Sequence, residues 1–261
     1  MDDYIEVNGI RIRYRIEGSG DWLVLIHGVG GRLEQWDQFV ALLDGRYRTL
    51  RFDQRGMGES SKPPGPYHID DFVADADALL QALGVERCHL AGCSLGALVA
   101  QGFALAHPEK LRKLILLAGI AGRTDEEKRL VQERLRIVAD GIPGQHFENS
   151  VVRWFTDEFR QLHPEVIEAY AASHRSNDPK AYAAAYAVLA NTDFAERLHE
   201  ISVPTLIVTG EHDKGSNPRM ARLMHERIAG SQLFILPRLR HSLLIEGPQQ
   251  VLQVVEPFLS A

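Results

Sequence analysis

Ser94 stands between two glycines in Gly92-Cys93-Ser94-Leu95-Gly96. The segment joins a short apolar run, Cys88–Ala91, to a helix-forming run that begins at Leu95. A serine at a strand-to-helix corner of this kind sits on a sharp turn with its hydroxyl exposed, the arrangement called a nucleophile elbow. Glycines flank it because the corner leaves no room for side chains. The chemistry implied is attack on an acyl carbon. A hydroxyl is a weak nucleophile near neutral pH, so it needs a base to take its proton and a third group to orient that base.

Eleven histidines compete for the role of base. His241 is the first candidate, because it follows the last apolar strand run, Gln232–Leu236, at the carboxyl side of the sheet. Ligands gather at that side in open α/β folds. His27 reaches the same edge, but its His27-Gly28-Val29-Gly30 context reads as a loop that shapes an oxyanion hole. Asp213 closes the run Thr209-Gly-Glu-His-Asp213 directly after a strand and is the first candidate for the acid. Glu211 and Asp125 are the alternatives. With Asp213, the chain order is serine, acid, histidine. Such an acid holds the imidazole tautomer and stabilises the imidazolium. Two backbone N–H groups, of Leu95 at the helix start and of Val29 in the loop, are positioned to bind a tetrahedral oxyanion. Cys93 is expected to pack rather than react, since the elbow exposes only its central residue. Asp53-Gln-Arg-Gly-Met-Gly-Glu-Ser60 reads as turn architecture with local ion pairing.

These residues need elements to carry them. Tyr4–Arg15 alternates around Asn8-Gly9, a strong hairpin signal. Trp22–His27, Tyr47–Phe52, Leu114–Ala118, Thr205–Thr209 and Gln232–Leu236 read as further strands. Helical periodicity marks Glu34–Leu43, His68–Leu83, Pro218–Ile228 and Gln249–Leu259, with Asp70 or a neighbour capping the second. Alternating strands and helices predict an α/β protein with a mostly parallel sheet covered on both faces. Between residues 122 and 200 the pattern changes to helices alone, at Asp125–Asp140, His163–Ser173 and Asp178–Asn191. No Gly/Ser/Pro-rich connector flanks that stretch. It reads as a helical cap (122–200) inserted in a core domain made of 1–121 and 201–261. Trp36, Trp154 and Phe155 are candidates to wall an apolar substrate pocket. Arg123, where the chain enters the cap, is a candidate to clamp a substrate carboxylate.

The 261 residues, 45% hydrophobic and 25% charged, suffice for one large α/β domain with an ample core. A net charge of −6 without a basic cluster predicts no nucleic-acid partner and no anionic membrane partner. Cys88 and Cys93 lie too close together to form a disulfide framework, and free thiols suit a reducing compartment. With no signal-peptide pattern and no long apolar run, the expected location is the cytoplasm. No His-Glu-x-x-His motif or cysteine pairing predicts a metal, and the glycine-rich loop after His27 lacks nucleotide-binding spacing.

His27-Gly-x-Gly, Asp53-x-Arg-Gly-x-Gly-x-Ser60, Gly92-x-Ser-x-Gly96, Gly210-x-x-Asp213 and His241 occur in this order over nearly the whole chain. Together they resemble the α/β-hydrolase superfamily. Within it, the chain is similar to 3-oxoadipate enol-lactonases and related small-lactone or carboxylesterase enzymes. The narrower likeness is carried by Arg153-Trp154-Phe155-Thr156 with Phe159, by His163-Pro164, and by Thr192-Asp193-Phe194 before Ile201-x-Val-Pro-Thr205. Two segments depart from that family's pattern: Gly92-Cys-Ser-Leu-Gly-Ala97, where Gly-x-Ser-Met-Gly-Gly is expected, and Gly210–Ser216, which lacks a proline-containing run after the acid. The resemblance implies an eight-stranded, mostly parallel sheet with the cap after the sixth strand. It also implies a cofactor-free Ser94–His241–Asp213 hydrolase cleaving a small ester or lactone through an acyl-enzyme. A carbon–carbon bond hydrolase or perhydrolase on the same scaffold, or a ligand receptor without turnover, are the alternatives.

Overall fold

The computed structural model describes residues 2–142 and 144–261; Met1 and Pro143, which fall in the core and cap ranges given above, lie outside the described residues. Eight strands form one sheet in the order β1-β2-β4-β3-β5-β6-β7-β8. They are β1 (Asp3–Val7), β2 (Ile10–Glu17), β3 (Trp22–Ile26), β4 (Arg48–Phe52), β5 (Cys88–Cys93), β6 (Leu111–Leu117), β7 (Thr205–Gly210) and β8 (Gln232–Leu236). The β1–β2 and β2–β4 pairs are antiparallel, and every other pair is parallel. Asn8 and Gly9 turn the first hairpin with φ of 49° and 74°, the left-handed pair that a tight two-residue hairpin demands.

The central strands are apolar throughout because both sheet faces are covered. Side chains alternate between those faces with period two. Val24 and Ile26 of β3, Leu90 of β5 and Leu114 and Leu116 of β6 enter one apolar cluster. Helices α2 (Ile69–Ala82), α3 (Leu95–Ala106) and α9 (Pro218–Arg227) cover it. Leu23, Leu25, Ala91, Ile115 and Leu117 enter the opposite cluster, under α1 (Asp37–Leu42) and α11 (Pro248–Ser260). Each of these fully buried leucines or isoleucines contributes about 1.5–3 kcal/mol through removal from water. The run predicted as one helix from Glu34 splits into a 3-10 turn, Leu33–Trp36, followed by α1. At the start of α2 the capping carboxylate is Asp71, which accepts the His68 N–H at 2.7 Å; Asp70 is not used.

Between β6 and β7 the chain makes a helical excursion: α4 (Asp125–Asp140), α5 (Gln145–Trp154), α6 (Asp157–Leu162), α7 (Pro164–Arg175) and α8 (Pro179–Asn191). Helices α4, α7 and α8 follow the expected periodicity, and α5 and α6 add to it. Phe147, Phe155 and Ala171 of the excursion form a third cluster with Ile245 of the short helix α10 (Leu243–Glu246). Among the described residues, no helix is long and apolar enough to cross a membrane.

Candidate active site

The corner between β5 and α3 is as tight as the sequence requires. A Cβ on Gly92 would lie 2.0 Å from the Gly96 carbonyl oxygen, and one on Gly96 would lie 2.2 Å from that of Ile26. Only glycine fits either place. Ser94 itself has φ 57° and ψ −114°, a sparsely populated conformation that the surrounding core must hold in place. The strand on one side and the first ten residues of α3, Leu95–Ala104, on the other are buried, so the strain is supported from both ends. Ser94 is only 6% exposed, and it opens into a cavity shared with Val29, Trp154, Asp213 and His241.

His241 and Asp213 come from loops beyond β8 and β7, at the carboxyl ends of their strands. Asp213 Oδ2 lies 2.7 Å from His241 Nδ1. Its other oxygen accepts the N–H of Gly215 at 2.8 Å and of Ser216 at 3.0 Å. Burial opposes the charge on Asp213, yet His241 and these two N–H groups hold its carboxyl below the usual carboxylate range. An ionised Asp213 fixes the proton of His241 on Nδ1 and leaves Nε2 as the basic nitrogen. Among the described residues, no hydrogen bond joins Ser94 Oγ to His241, although both face the cavity; such bonds tighten when substrate binds. Of the alternative acids, Glu211 accepts the N–H of Arg238 at 2.9 Å, and Asp125 is an exposed residue opening α4. Neither bonds His241.

His27 is completely buried and both of its ring nitrogens are committed to backbone. Nε2 accepts the Gln54 N–H at 3.0 Å, which places the ring proton on Nδ1, 2.7 Å from the Gly28 carbonyl. Burial lowers its pKa, so it stays a neutral brace. Gln54 also donates to the His27 carbonyl at 2.7 Å, and Gln35 accepts the Gly28 N–H at 2.8 Å. This bracing sets the loop beside the elbow, where a Cβ on Gly28 would meet Ser94 Cβ at 3.3 Å. Among the described residues, neither the Val29 nor the Leu95 N–H has an acceptor.

The Asp53–Ser60 turn is architectural, as its sequence suggests. Asp53 accepts the N–H groups of Leu33 (2.7 Å) and Glu59 (2.8 Å), while Arg55 makes a two-pronged pair with Asp75 at 2.6 and 2.7 Å. Cys93 is buried, and burial pushes its thiol up to about 12, so it is no thiolate.

Three of the four pocket candidates need correction or refinement. Trp36 lies wholly inside the cluster beneath α1, edge-on to Phe39, because apolar burial against the sheet outweighs exposure to the cavity. Phe155 is likewise fully buried, stacked on Phe159 inside the excursion. Arg123 does line the cavity, but its guanidinium donates to the carbonyls of Thr192 (3.0 Å) and Leu189 (2.7 Å) at the end of α8. It ties off a helix terminus, leaving no fork for a substrate. Trp154 is where the sequence reading puts it: its ring lies 6.2 Å from that of His241. Helix α5 also holds the histidine loop. The Trp154 carbonyl accepts the Ser242 N–H at 2.9 Å, and Arg240 donates to the carbonyls of Val152 and Phe155 at 2.6 and 2.7 Å. Sequence reasoning missed Arg134, Arg153, His146 and Tyr186, all of which line the cavity. Arg153 stood in the Arg153–Thr156 motif without a role assigned to it, Arg134 and Tyr186 lie on helices read without a site, and His146 lies on α5, for which no helix was read.

The family model described as alpha/beta hydrolase fold matches residues 21–248. The chain is 29% identical over 256 residues to 3-oxoadipate enol-lactonase 2 of Acinetobacter baylyi, covering 97% of this chain and 95% of that one. It is 30% identical to the pimeloyl-[acyl-carrier protein] methyl ester esterase of Aeromonas hydrophila, over 93% of this chain and 96% of the esterase. The solved enol-lactonase of Burkholderia xenovorans LB400 superposes with a TM-score of 0.93 at 27% identity, covering 99% of this chain and all of that one. By sheet order, by elbow and by a family match over most of its length, this chain belongs to the α/β hydrolase fold family.

Proposed function

We propose that the protein hydrolyses small carboxylic esters or lactones through an acyl-enzyme on Ser94. The observation that carries this reading is the 2.7 Å Asp213–His241 pair, facing the same cavity as the strained Ser94. The enol-lactonase and ester esterase among its relatives support the substrate class. Ser94 Oγ attacks the carbonyl carbon as His241 Nε2 takes its proton. The oxyanion that forms is bound by the N–H groups of Val29 and Leu95, each worth about 3 kcal/mol of transition-state stabilisation. As the tetrahedral intermediate collapses, the bond to the leaving oxygen breaks and His241 returns the proton to that oxygen. Water then attacks the acyl-enzyme, giving one proton to His241, and collapse restores Ser94 and releases the acid. With a lactone, the leaving oxygen remains attached to the acyl chain, so a single ring-opened acid departs. Cys93 and His27 take no part, the first as a buried thiol and the second as a loop brace. The helical excursion over residues 122–200 acts as the cap that shapes substrate choice.

Turnover of p-nitrophenyl acetate and of a simple γ-lactone tests this. Wild-type protein is expected to turn over many times, and Ser94→Ala to lose about ten-thousandfold or more in kcat. Undiminished turnover in Ser94→Ala overturns the mechanism. A single acylation event with tight retention of an uncleaved ligand marks a receptor instead.

A further inference from the structure

The helical excursion touches the loop beside the elbow at Gly30. Gly30 has φ 70°, and a Cβ there would lie 2.5 Å from Tyr182 Cε2 and 3.0 Å from His174 Cε1. One ring from α7 and one from α8 therefore lie against its backbone, an approach that glycine allows. The junction between those helices also binds the loop. Arg32 donates to Ser176 Oγ at 2.8 Å. Asn177 is buried and donates its side-chain N–H to the Gly30 carbonyl at 3.0 Å, across 147 residues of sequence. Among the described residues, no other group donates to that carbonyl. The same peptide unit carries the Gly31 N–H, which donates to the Gly28 carbonyl at 3.1 Å. The Gly28 carbonyl also accepts from His27 Nδ1 at 2.7 Å. It shares a planar peptide with the Val29 N–H, the proposed oxyanion donor. Asn177, the Gly30–Gly31 peptide and the Gly28–Val29 peptide thus stand in series from the excursion to the reaction site. The Gly30 N–H, by contrast, meets the Met57 thioether at 3.2 Å, a weak acceptor that fixes the loop poorly.

We infer that Asn177 is a positioning residue for the oxyanion hole, acting on the Val29 N–H through the Gly30–Gly31 and Gly28–Val29 peptides. This rests on the hydrolase reading above and adds a residue of the excursion to its machinery. Hydrogen bonds in a chain polarise one another. An N–H donated to the Gly30 carbonyl draws electron density from the Gly31 nitrogen, so the Gly31 N–H becomes the stronger donor. The Gly28 carbonyl receives it together with His27, and the Val29 N–H of the same peptide is strengthened in turn. The series also fixes direction. With the carbonyls of Gly28 and Gly30 both held, neither planar peptide is free to rotate and turn the Val29 N–H away from the oxyanion. Asn177 is not among the residues that line the Ser94 cavity, so it acts through the loop and not by touching substrate.

Hydrolysis of p-nitrophenyl acetate at pH 8 tests this, with phenylboronic acid as a mimic of the tetrahedral adduct. Asn177→Ala is expected to lower kcat about tenfold, short of the roughly 100- to 1,000-fold lost with a whole oxyanion donor, and to leave KM within about twofold. The inhibition constant of the boronic acid should rise by the factor that kcat falls, because one of its oxygens takes the oxyanion position. Asn177→Asp keeps the shape of the side chain, but its carboxylate has no N–H to give, so it should do no better than the alanine variant. A kcat within about twofold of wild type in either variant overturns the inference. So does a loss confined to KM, or one that leaves boronic acid inhibition unchanged. If wild type turns over no ester, the hydrolase reading fails. Amide hydrogen exchange then decides the tether: faster exchange at Gly31 in both variants with β3 still protected supports it, and unchanged exchange at Gly31, or acceleration shared equally by β3, overturns it.

Discussion

The sheet and the helical excursion meet across one cavity but solve their polar problems differently. On the sheet side, the ionisable groups His27, Asp53 and Asp213 are partnered at both polar atoms, Asp213 by two backbone N–H groups and by His241, and it is neutral groups, Gln54 Oε1 and Ser216 Oγ, that are buried without a partner among the described residues. On the excursion side, the Tyr170 hydroxyl is buried without a partner among the described residues, and Arg134 and Arg153 lack counter-ions. Buried His146 and His174 share an aromatic cluster with Trp154, Phe147, Tyr182 and Tyr186. Groups that are fully bonded at rest hold a geometry, whereas groups left under-bonded favour a ligand that completes them. The proposed division is therefore that strands fix the reaction and helices choose what enters, with Asn177 as the link from one to the other.

The largest expected effect falls on the sheet side. Asp213→Asn should lower kcat by about ten-thousandfold with little change in fold, because an amide cannot hold the imidazole in the required tautomer. A loss of tenfold or less in steady-state rates would remove Asp213 from the proposed triad. Next comes stability. Leu116→Ala, in the strand that abuts the elbow strand, should reduce unfolding free energy by about 2–5 kcal/mol in urea titrations. The same truncation at Leu162, 65% exposed on the excursion, should change it by less than about 0.5 kcal/mol. Equal losses at both sites would erase the contrast.

The last expectation is a pH slope to which two histidines of the helical excursion contribute. Burial lowers His146 to about 3 and His174 to about 4, against 6.5 for an ordinary histidine. Between those limits the unfolded chain binds protons that the folded chain refuses, so stability rises with pH through this window and falls on acidification. On the sheet side His89 in β5, also lowered to about 4, and the fully buried His27 act in the same direction. Thermal unfolding between pH 7 and 4 should show Tm dropping with pH, and His146→Phe with His174→Phe should flatten that drop. An unaltered slope in the double variant would place the acid sensitivity in the sheet.

What the sequence revealed divides along the same boundary. The strand at Gln232–Leu236 and the helix at Asp125–Asp140 have the bounds their patterns predict. The latter opens on a Thr124–Glu127 capping box, a purely local signal. That Ser94, Asp213 and His241 meet at one cavity was legible because turn chemistry and chain order are local or one-dimensional. Helices α5 and α6 were not. The first starts from Gly144 with φ 87° and no side-chain cap, and the second is six residues long. The buried direction of Trp36 and Phe155 was equally hidden, since an aromatic residue near a loop does not reveal which neighbour it packs against. Arg134 belongs to a charge-rich helix whose pattern reads as solvated. Only the tertiary approach of α4 to α5 distinguishes it from Arg129, which pairs with Glu126 at 2.6 Å.

The hydrogen bonds between residues 152–156 and 240–246 bear on any attempt to re-engineer selectivity. Val152, Trp154 and Phe155 offer carbonyls to Arg240 and Ser242, and Glu246 accepts the Thr156 N–H at 3.1 Å. A chimera that imports residues 122–200 from a relative also replaces half of the tether holding His241, the proposed base. Such grafts should carry 240–246 from the same donor, or the new insert will leave His241 out of register.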